Sequence, residues 1–376
     1  MKKVLVTGGL GLIGSACVKL FSDKKWEVIV VDNDKRQEIF GKEASTKANK
    51  EEEDVFSRDS VSVVYADIRE EEVMKKIIEE VDAVVHCAAQ PSHPRSLEIP
   101  MEDFRINAYG TLLLLELARQ HNKDIPFAYM STNKVYGDYP NYFNYKVIGK
   151  RFENTAVESF DETLSIDRCG HTPFGVSKAA ADLYCQEYGI NYGMKTATFR
   201  GGCLTGKNSR AVEMHGYLPY IIQCALTGKH YNIYGGGYRV RDQIHSSDVA
   251  TALFAFVTNP KKNQSGFYGN PYNLGGERAN SISIFETIDA IKAKTGTDLS
   301  WAEAPERESD HIWWISNMSK FKRDYPEWSI TKDLDFIFNE IIEYYIKTLG
   351  LKVTLKDEDY FKGNQPDIIK VKRVEF

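Results

Sequence analysis

Apolar runs that alternate with helical patterns predict an α/β protein built on a doubly wound parallel sheet. A second observation sharpens this: Val4-Leu5-Val6-Thr7-Gly8-Gly9-Leu10-Gly11-Leu12-Ile13-Gly14. Here a β-branched run turns on glycines and leaves as a helix, Ser15 to Phe21. Gly8 permits the tight turn. Gly11 removes the Cβ that would keep backbone N–H groups away from a pyrophosphate, and Gly14 lets the helix approach the strand. The phosphates then meet the positive helix N-terminus. The 376 residues can bury a large core, as one α/β unit or as two lobes.

Each further element follows in order. Trp26 to Val31 reads as the second strand and ends in Asp32, 18 residues past Gly14, where a ribose-binding carboxylate is expected. Asp32 would repel a 2′-phosphate and so favours NAD over NADP, with Arg36 working the other way. Gln37 to Ser60, including the charge run Lys50 to Asp54, reads as a solvated excursion. Val61 to Tyr65 is the third strand, followed by Asp67, a possible N-cap for a helix from Glu70 to Glu80. Ala83 to Cys87 is the fourth strand, and the small residues Ala88-Ala89-Gln90-Pro91 leave room for a ligand at its end. A helix from about Met101 to His121 leads to the fifth strand, Pro126 to Met130. A polar connection, Tyr139 to Glu158, precedes a helix over Pro173–Tyr192 and the sixth strand, Lys195 to Arg200. Leu218 to Thr227 reads as a helix, and Asp248 as the cap of another. Tyr272 to Gly276 and a helix from Ser283 to Thr295 are assigned to a smaller lobe. Trp313-Trp314 reads as core, and Leu334 to Leu349 as an amphipathic helix. The tail from Leu351 to Phe376 either packs on a neighbour or stays loose.

Composition excludes several classes. Hydrophobic content of 42% with 27% charged residues describes a soluble globular chain, and a net charge of −5 gives no reason to expect a nucleic-acid or membrane partner. No apolar run nears the ~20 residues that span a bilayer. Met1-Lys2-Lys3 leads straight into a strand, unlike a signal peptide. Six scattered cysteines (17, 87, 169, 185, 203 and 224) lack metal-type pairing and read as reduced thiols in a cytoplasm.

The Gly-x-x-Gly-x-x-Gly spacing after Thr7 resembles the extended short-chain dehydrogenase/reductase family, whose members act mostly on nucleotide sugars. That resemblance implies a Rossmann-like NAD domain over 1–200 with a return segment at about 231–262. A smaller C-terminal α/β lobe over 201–230 and 263–349 would hold a nucleoside diphosphate sugar, leaving a tail, 350–376, of unknown role. It places NAD against Gly8, Gly11, Leu12, Ile13, Gly14, Asp32, Asn33, Asp67, Ile68, Ala88, Ala89 and Gln90. Asn107 falls where the family has an Asn that ties strands together. Helices around Met101–His121 and Pro173–Tyr192 form a four-helix dimer contact in the family, implying a homodimer.

Ser131-Thr132-Asn133-Lys134-Val135-Tyr136-Gly137-Asp138 carries the resemblance into the chemistry. Thr132 stands at the family's catalytic hydroxyl. The 4,6-dehydratases carry an Asp-Glu pair directly after it, to move protons during water elimination. Asn133-Lys134 cannot do that work. The string resembles instead the family's 2-epimerases of CDP-sugars, although no stretch separates CDP from UDP, GDP or dTDP. Ser92, Asn133, Arg200, Arg241 and Arg307 are the implied substrate contacts, the last two for a diphosphate. A surface ion pair is the plainer alternative for each of these two.

The family's Tyr-x-x-x-Lys pair appears here as Phe174 and Lys178. In the family, the Lys holds the nicotinamide ribose and the Tyr takes the hydroxyl proton as hydride leaves. A phenyl ring can do neither half of a proton transfer, which contributes typically ~10²–10⁴-fold. Three readings stand: an inactivated Tyr-to-Phe variant, a silent binding protein, or an active enzyme with another base. Substitute bases are Lys178 itself, Cys203, His171 and Tyr136. Against these, Cys203 reads equally as a small buried hydrophobe and His171 as a turn contact.

Overall fold

The computed structural model describes residues 1–363. Along β1 (Lys3–Thr7), Val4 and Val6 enter one hydrophobic core and Leu5 another, as the two-residue period of a strand covered on both faces requires. Six more parallel strands join it: β2 (Glu27–Asp32), β3 (Val61–Tyr65), β4 (Ala83–His86), β5 (Phe127–Thr132), β6 (Thr196–Gly201) and β7 (Asn270–Leu274). Their spatial order is β7-β6-β5-β4-β1-β2-β3. Strand order therefore reverses between β1 and β4, which is where a doubly wound sheet opens a ligand crevice. Helices Leu12–Asp23 and Ser246–Thr258 cover one face through Val18, Phe21, Leu253 and Phe256. Helices Glu71–Ile78, Gly110–Asn122 and Thr172–Asn191 cover the other through Ile78, Leu114, Ala118 and Ala181.

The smaller lobe packs helices Tyr217–Thr227, Ile284–Thr295 and Leu334–Leu349 around a two-stranded parallel pair, Tyr231–Tyr234 with Trp301–Ala304. A capping box fixes the start of Ile284–Thr295: Ser283 Oγ accepts from Glu286 N, and the Glu286 carboxylate accepts from Ser283 N. Asp333 caps Leu334–Leu349. Between the lobes lies a sheet made of Cys203–Thr205, Val240–His245, Ser281–Ser283 and Trp313–Trp314, with both tryptophans fully buried.

Several expectations are corrected. Tyr272-Asn273-Leu274 is not part of the smaller lobe: β7 is the edge of the main sheet, in register with β6 through Asn273 and Arg200. Accordingly, the return segment runs through Ser246–Thr258 and β7. Residues 231–245 pair instead with small-lobe and inter-lobe strands. The stretch 37–60 is no simple solvated excursion. It carries two short helices, Lys35–Phe40 and Lys47–Glu52, and fully buries Asn49, whose Nδ2 donates to Leu10 O at 2.8 Å and Asn208 O at 3.1 Å. Asp248 does not cap its helix; His245 does, while Asp248 accepts from Thr331 and Lys332. Asp67 likewise caps no helix and is held by Arg69.

The first half of the tail packs on its own lobe. Leu351, Val353, Leu355 and Phe361 join the small-lobe core, and buried Lys294 donates to the carbonyl oxygens of Asp357 and Glu358 at 3.0 and 3.1 Å. The remainder of that tail, 364–376, lies outside the described residues. Among the described residues, no helix is long and apolar enough to cross a membrane, and no group of three His, Cys, Asp or Glu side chains could hold a metal ion.

Candidate active site

One continuous cavity opens at the β1/β4 reversal and runs into the smaller lobe. At its first end the glycine turn works by close approach. A Cβ on Gly8, whose φ is +63°, would lie 2.7 Å from Ala88 N, and one on Gly14 would lie 2.1 Å from Gly8 O. Gly11 meets only Gly8 O, at 3.3 Å, so its backbone stays open to the cavity. This cradle admits a pyrophosphate where a side chain would fill it. Asp32, at the end of β2, accepts from Leu10 N at 3.0 Å and Asp34 N at 2.8 Å; burial raises its pKa. Leu12, Ile13, Asn33, Asp67, Ile68, Ala88 and Ala89 complete this end.

Gln90, Asn107 and Ser92 do not line the cavity. Asn107 Oδ1 accepts from Gln90 N at 2.9 Å, and Gln90 Nε2 donates to Asp103 at 2.7 Å and to Ser92 O at 2.9 Å. Asn107 Nδ2 also reaches Ser177 Oγ at 3.1 Å. This buried knot ties the end of β4 to two helices. Asn107 sits in a π-helical turn, Arg105–Tyr109, which aims its side chain inward. Ser92 caps the four-residue helix His93–Ser96. All three residues are engaged in protein hydrogen bonds behind the cavity wall.

At the centre, Thr132 ends β5 and its Oγ1 accepts from Lys134 N at 3.2 Å. Phe174 and Lys178 face it from one side of helix Thr172–Asn191, one turn apart, and all three line the cavity. Phe174 N is pinned by Ser96 Oγ at 3.0 Å. Lys178 Nζ donates to Met130 O at 2.6 Å and lies 4.3 Å over the Tyr129 ring. Burial pushes its pKa down to about 8. Cys203 lines the same region, but burial pushes its thiol up to about 12 against the pull of Arg241. A thiolate there is suppressed near neutrality, which weakens Cys203 as a base. Tyr136 and His171 do not line the cavity. The Tyr136 hydroxyl donates to Asn273 at 2.8 Å and its pKa is raised by burial, while the His171 ring nitrogens face Cys169 O and Val135 O, both at 3.0 Å.

At the far end Arg241 Nη2 meets Asp310 Oδ1 at 2.9 Å, and Lys134 Nζ donates to Ser309 O at 2.9 Å. Arg241 and Lys134 hold the Asp310 carboxyl well below its usual range despite its burial. Arg307 stacks 3.8 Å over Tyr234, and Asn133 also faces the cavity. Arg200 does not reach it. Its guanidinium is bound by Asp182 at 2.9 and 3.1 Å and donates to Tyr136 Oη at 2.9 Å. Lys134, Asp310, His93 and Glu213 line the cavity and were not identified as site residues from sequence. The only legible signals were that Asp310 follows Arg307 by three residues and that Lys134 closes the Thr132-Asn133 string.

Comparison with known proteins fits this geometry. Residues 4–275 match the model of the NAD dependent epimerase/dehydratase family. The chain is 32% identical to a CDP-paratose 2-epimerase of Salmonella typhi over 85% of its length and 92% of that protein. It is 28% identical to a dTDP-glucose 4,6-dehydratase of Mycolicibacterium smegmatis, covering 85% and 90%. Among solved structures it is similar to UDP-glucose 4-epimerase of Thermotoga maritima, solved with UDP-glucose, with a TM-score of 0.72 and 25% identity over 92% of this chain and 99% of that one. The extended short-chain fold and its NAD cofactor are thereby shown, and this chain belongs to the NAD dependent epimerase/dehydratase family.

Proposed function

We propose that this chain is an NAD-dependent epimerase of a nucleoside diphosphate sugar, inverting C2 of a CDP-sugar. One observation carries the reading: the hydroxyl of Thr132 is followed in the cavity wall by Asn133 and Lys134. The carboxylates that line the cavity, Asp32, Asp67, Glu213 and Asp310, all belong to other stretches. A dehydratase needs carboxylates beside that hydroxyl to move protons; an epimerase does not. The 32% identity to a CDP-paratose 2-epimerase supports the choice of carbon and base.

Gly8, Gly11 and Gly14 would cradle the NAD pyrophosphate, Asp32 its adenosine ribose, and Lys178 its nicotinamide ribose. When bound, NAD supplies reversible hydride acceptance at the sugar carbon. Thr132 orients the reacting hydroxyl. Phe174 gives that hydroxyl an apolar wall where the family carries a proton-transfer group. Lys178, with its pKa pulled down to about 8, is the side chain in this wall best able to take the proton. Arg241 and Arg307 neutralise the diphosphate.

The exposed apolar side chains Met101, Phe104 and Tyr109 on one helix region and Val176, Leu183 and Tyr184 on another support a homodimer formed through these helices. Six unpaired cysteines fit a reducing cytoplasm.

The test incubates the purified protein with nucleotide sugars in deuterated water. Inversion at C2 without solvent deuterium in the product is expected, together with NAD(H) carried through purification. A protein without NAD(H), or one that inverts no nucleotide sugar, overturns the reading.

A further inference from the structure

In the smaller lobe the cavity wall turns apolar and aromatic, through Leu218, Pro219, Tyr231, Ile233 and Ile284. Glu213 breaks this wall. Its Oε1 accepts from Asn232 Nδ2 at 2.8 Å and from the Tyr234 hydroxyl at 2.9 Å. Both bonds hold the ionised form, and the carboxyl pKa is lowered chiefly by Asn232. No donor among the described residues is bonded to Oε2. Arg307 stacks on Tyr234 and donates to Glu213 O at 3.0 Å, so the guanidinium assigned to the diphosphate also fixes the Glu213 backbone. The base of a nucleoside diphosphate lies one ribose beyond its phosphates, and this wall adjoins Arg307 through Tyr234, on the strand that carries Tyr231 and Ile233.

We propose that Glu213 selects the nucleotide, its Oε2 accepting the exocyclic N4 amino group of a cytosine stacked in this wall. This rests on the epimerase reading and deepens it. Uracil and thymine turn a carbonyl oxygen toward that position, which an ionised carboxylate rejects; a carboxylate accepting from cytosine N4 is a good pairing. Guanine offers two adjacent donors that ask for both carboxylate oxygens, and Oε1 already holds two protein donors. One open acceptor suits one amino group.

The experiment is calorimetric titration of the NAD-loaded enzyme with CDP, UDP, GDP and ADP. CDP is expected to bind about tenfold or more tighter than UDP, the scale of one well-made base contact. In Glu213→Gln the carboxamide can donate to a carbonyl, so the CDP/UDP ratio falls to within about threefold, while UDP affinity holds or rises. Tyr234→Phe, which frees one bond to Oε1 and keeps the carboxylate, lowers the ratio less; it serves if the first variant does not fold. A wild-type enzyme that prefers UDP, GDP or ADP, or a Glu213→Gln enzyme that keeps its CDP preference, overturns the assignment while leaving epimerisation intact. Failure to bind any of the four overturns the nucleotide-sugar reading beneath it.

Discussion

Lys178 Nζ donates to the carbonyl oxygen of Met130 at 2.6 Å, two residues before Thr132 on the same strand. The bond ties the amine to the strand that presents the reacting hydroxyl's partner. Burial pushes this amine down to about 8, so it is mostly ammonium below that pH and mostly neutral amine above it. Only the neutral amine can take a proton. Turnover is therefore expected to rise with pH through about 8 and then level, read as initial rates from pH 6 to 10. A profile flat across this range would remove Lys178 as the base. Lys178→Met should abolish turnover and lower the NAD content of the purified protein.

Phe174 offers the complementary test. Its backbone is pinned by Ser96 and its ring faces the cavity, so a tyrosine can occupy the position with its hydroxyl toward the site. With Lys178 as base, Phe174→Tyr should retain NAD and change turnover by less than about tenfold, moving the pH midpoint. A rise of ~10²-fold or more, the scale of a restored general acid–base group, would instead mark the chain as a disabled or silent relative of a tyrosine enzyme. Steady-state rates for both proteins decide between these outcomes.

Arg200 separates a structural role from a binding one. It sits at the end of β6, where sequence alone suggests a substrate contact, yet each nitrogen of its guanidinium is bonded to Asp182 or Tyr136. Both partners of the ion pair are buried. Removing one partner of such a pair costs ~3–5 kcal/mol, because the other charge is left uncompensated. Arg200→Met should lose about that much stability in urea unfolding, while the KM of whatever protein folds stays near that of the wild type. A raised KM with unchanged stability would return Arg200 to the substrate.

What could be read from sequence followed from local order. The glycine turn, Asp32 and the Phe174/Lys178 pair are each fixed by spacing within one strand–helix unit, and they fall in one cavity. Partners made by the fold could not be read. Asp182 lies one turn past Lys178 in plain view, but its bond to Arg200 depends on how the helix packs over β6. Gln90 flanks the crevice and so reads as a ligand contact, but its N–H is bonded to Asn107 and its side chain to Asp103. A short run such as Tyr272 to Leu274 carries no periodicity that names its sheet, so only its pairing with β6 places it in the main one. Glu213 sits in a loop with no motif and gains meaning only from Asn232, Tyr234 and Arg307 around it.

Arg210 joins the two lobes. It stands in a left-handed conformation, φ 45°, on the loop before helix Tyr217–Thr227. Its Nε donates to Asn49 at 2.8 Å, its Nη1 to Tyr344 Oη at 2.6 Å, and its Nη2 pairs with Glu52 at 2.6 Å. Arg36 Nη2 donates to its carbonyl oxygen at 2.8 Å and Nη1 faces His215 at 3.1 Å. The segment 35–52, which supplies Lys35, Arg36 and Thr46 to the cavity wall beside Asp32, is thus clasped to the smaller lobe, with the Arg210 side chain at the centre of the contact and Arg36, Asn49 and Glu52 adding bonds of their own. Hydrogen bonds to charged groups contribute ~1.5–3 kcal/mol each, and exposed ion pairs less. Because Glu52 is partly exposed, Arg210→Ala should cost about 2 kcal/mol in urea unfolding. It should also speed loss of bound NAD during repeated gel filtration, because the wall beside the adenosine end is held by fewer bonds. Destabilisation with unchanged NAD retention would confine Arg210 to folding and show that the clasp does not guard the cofactor.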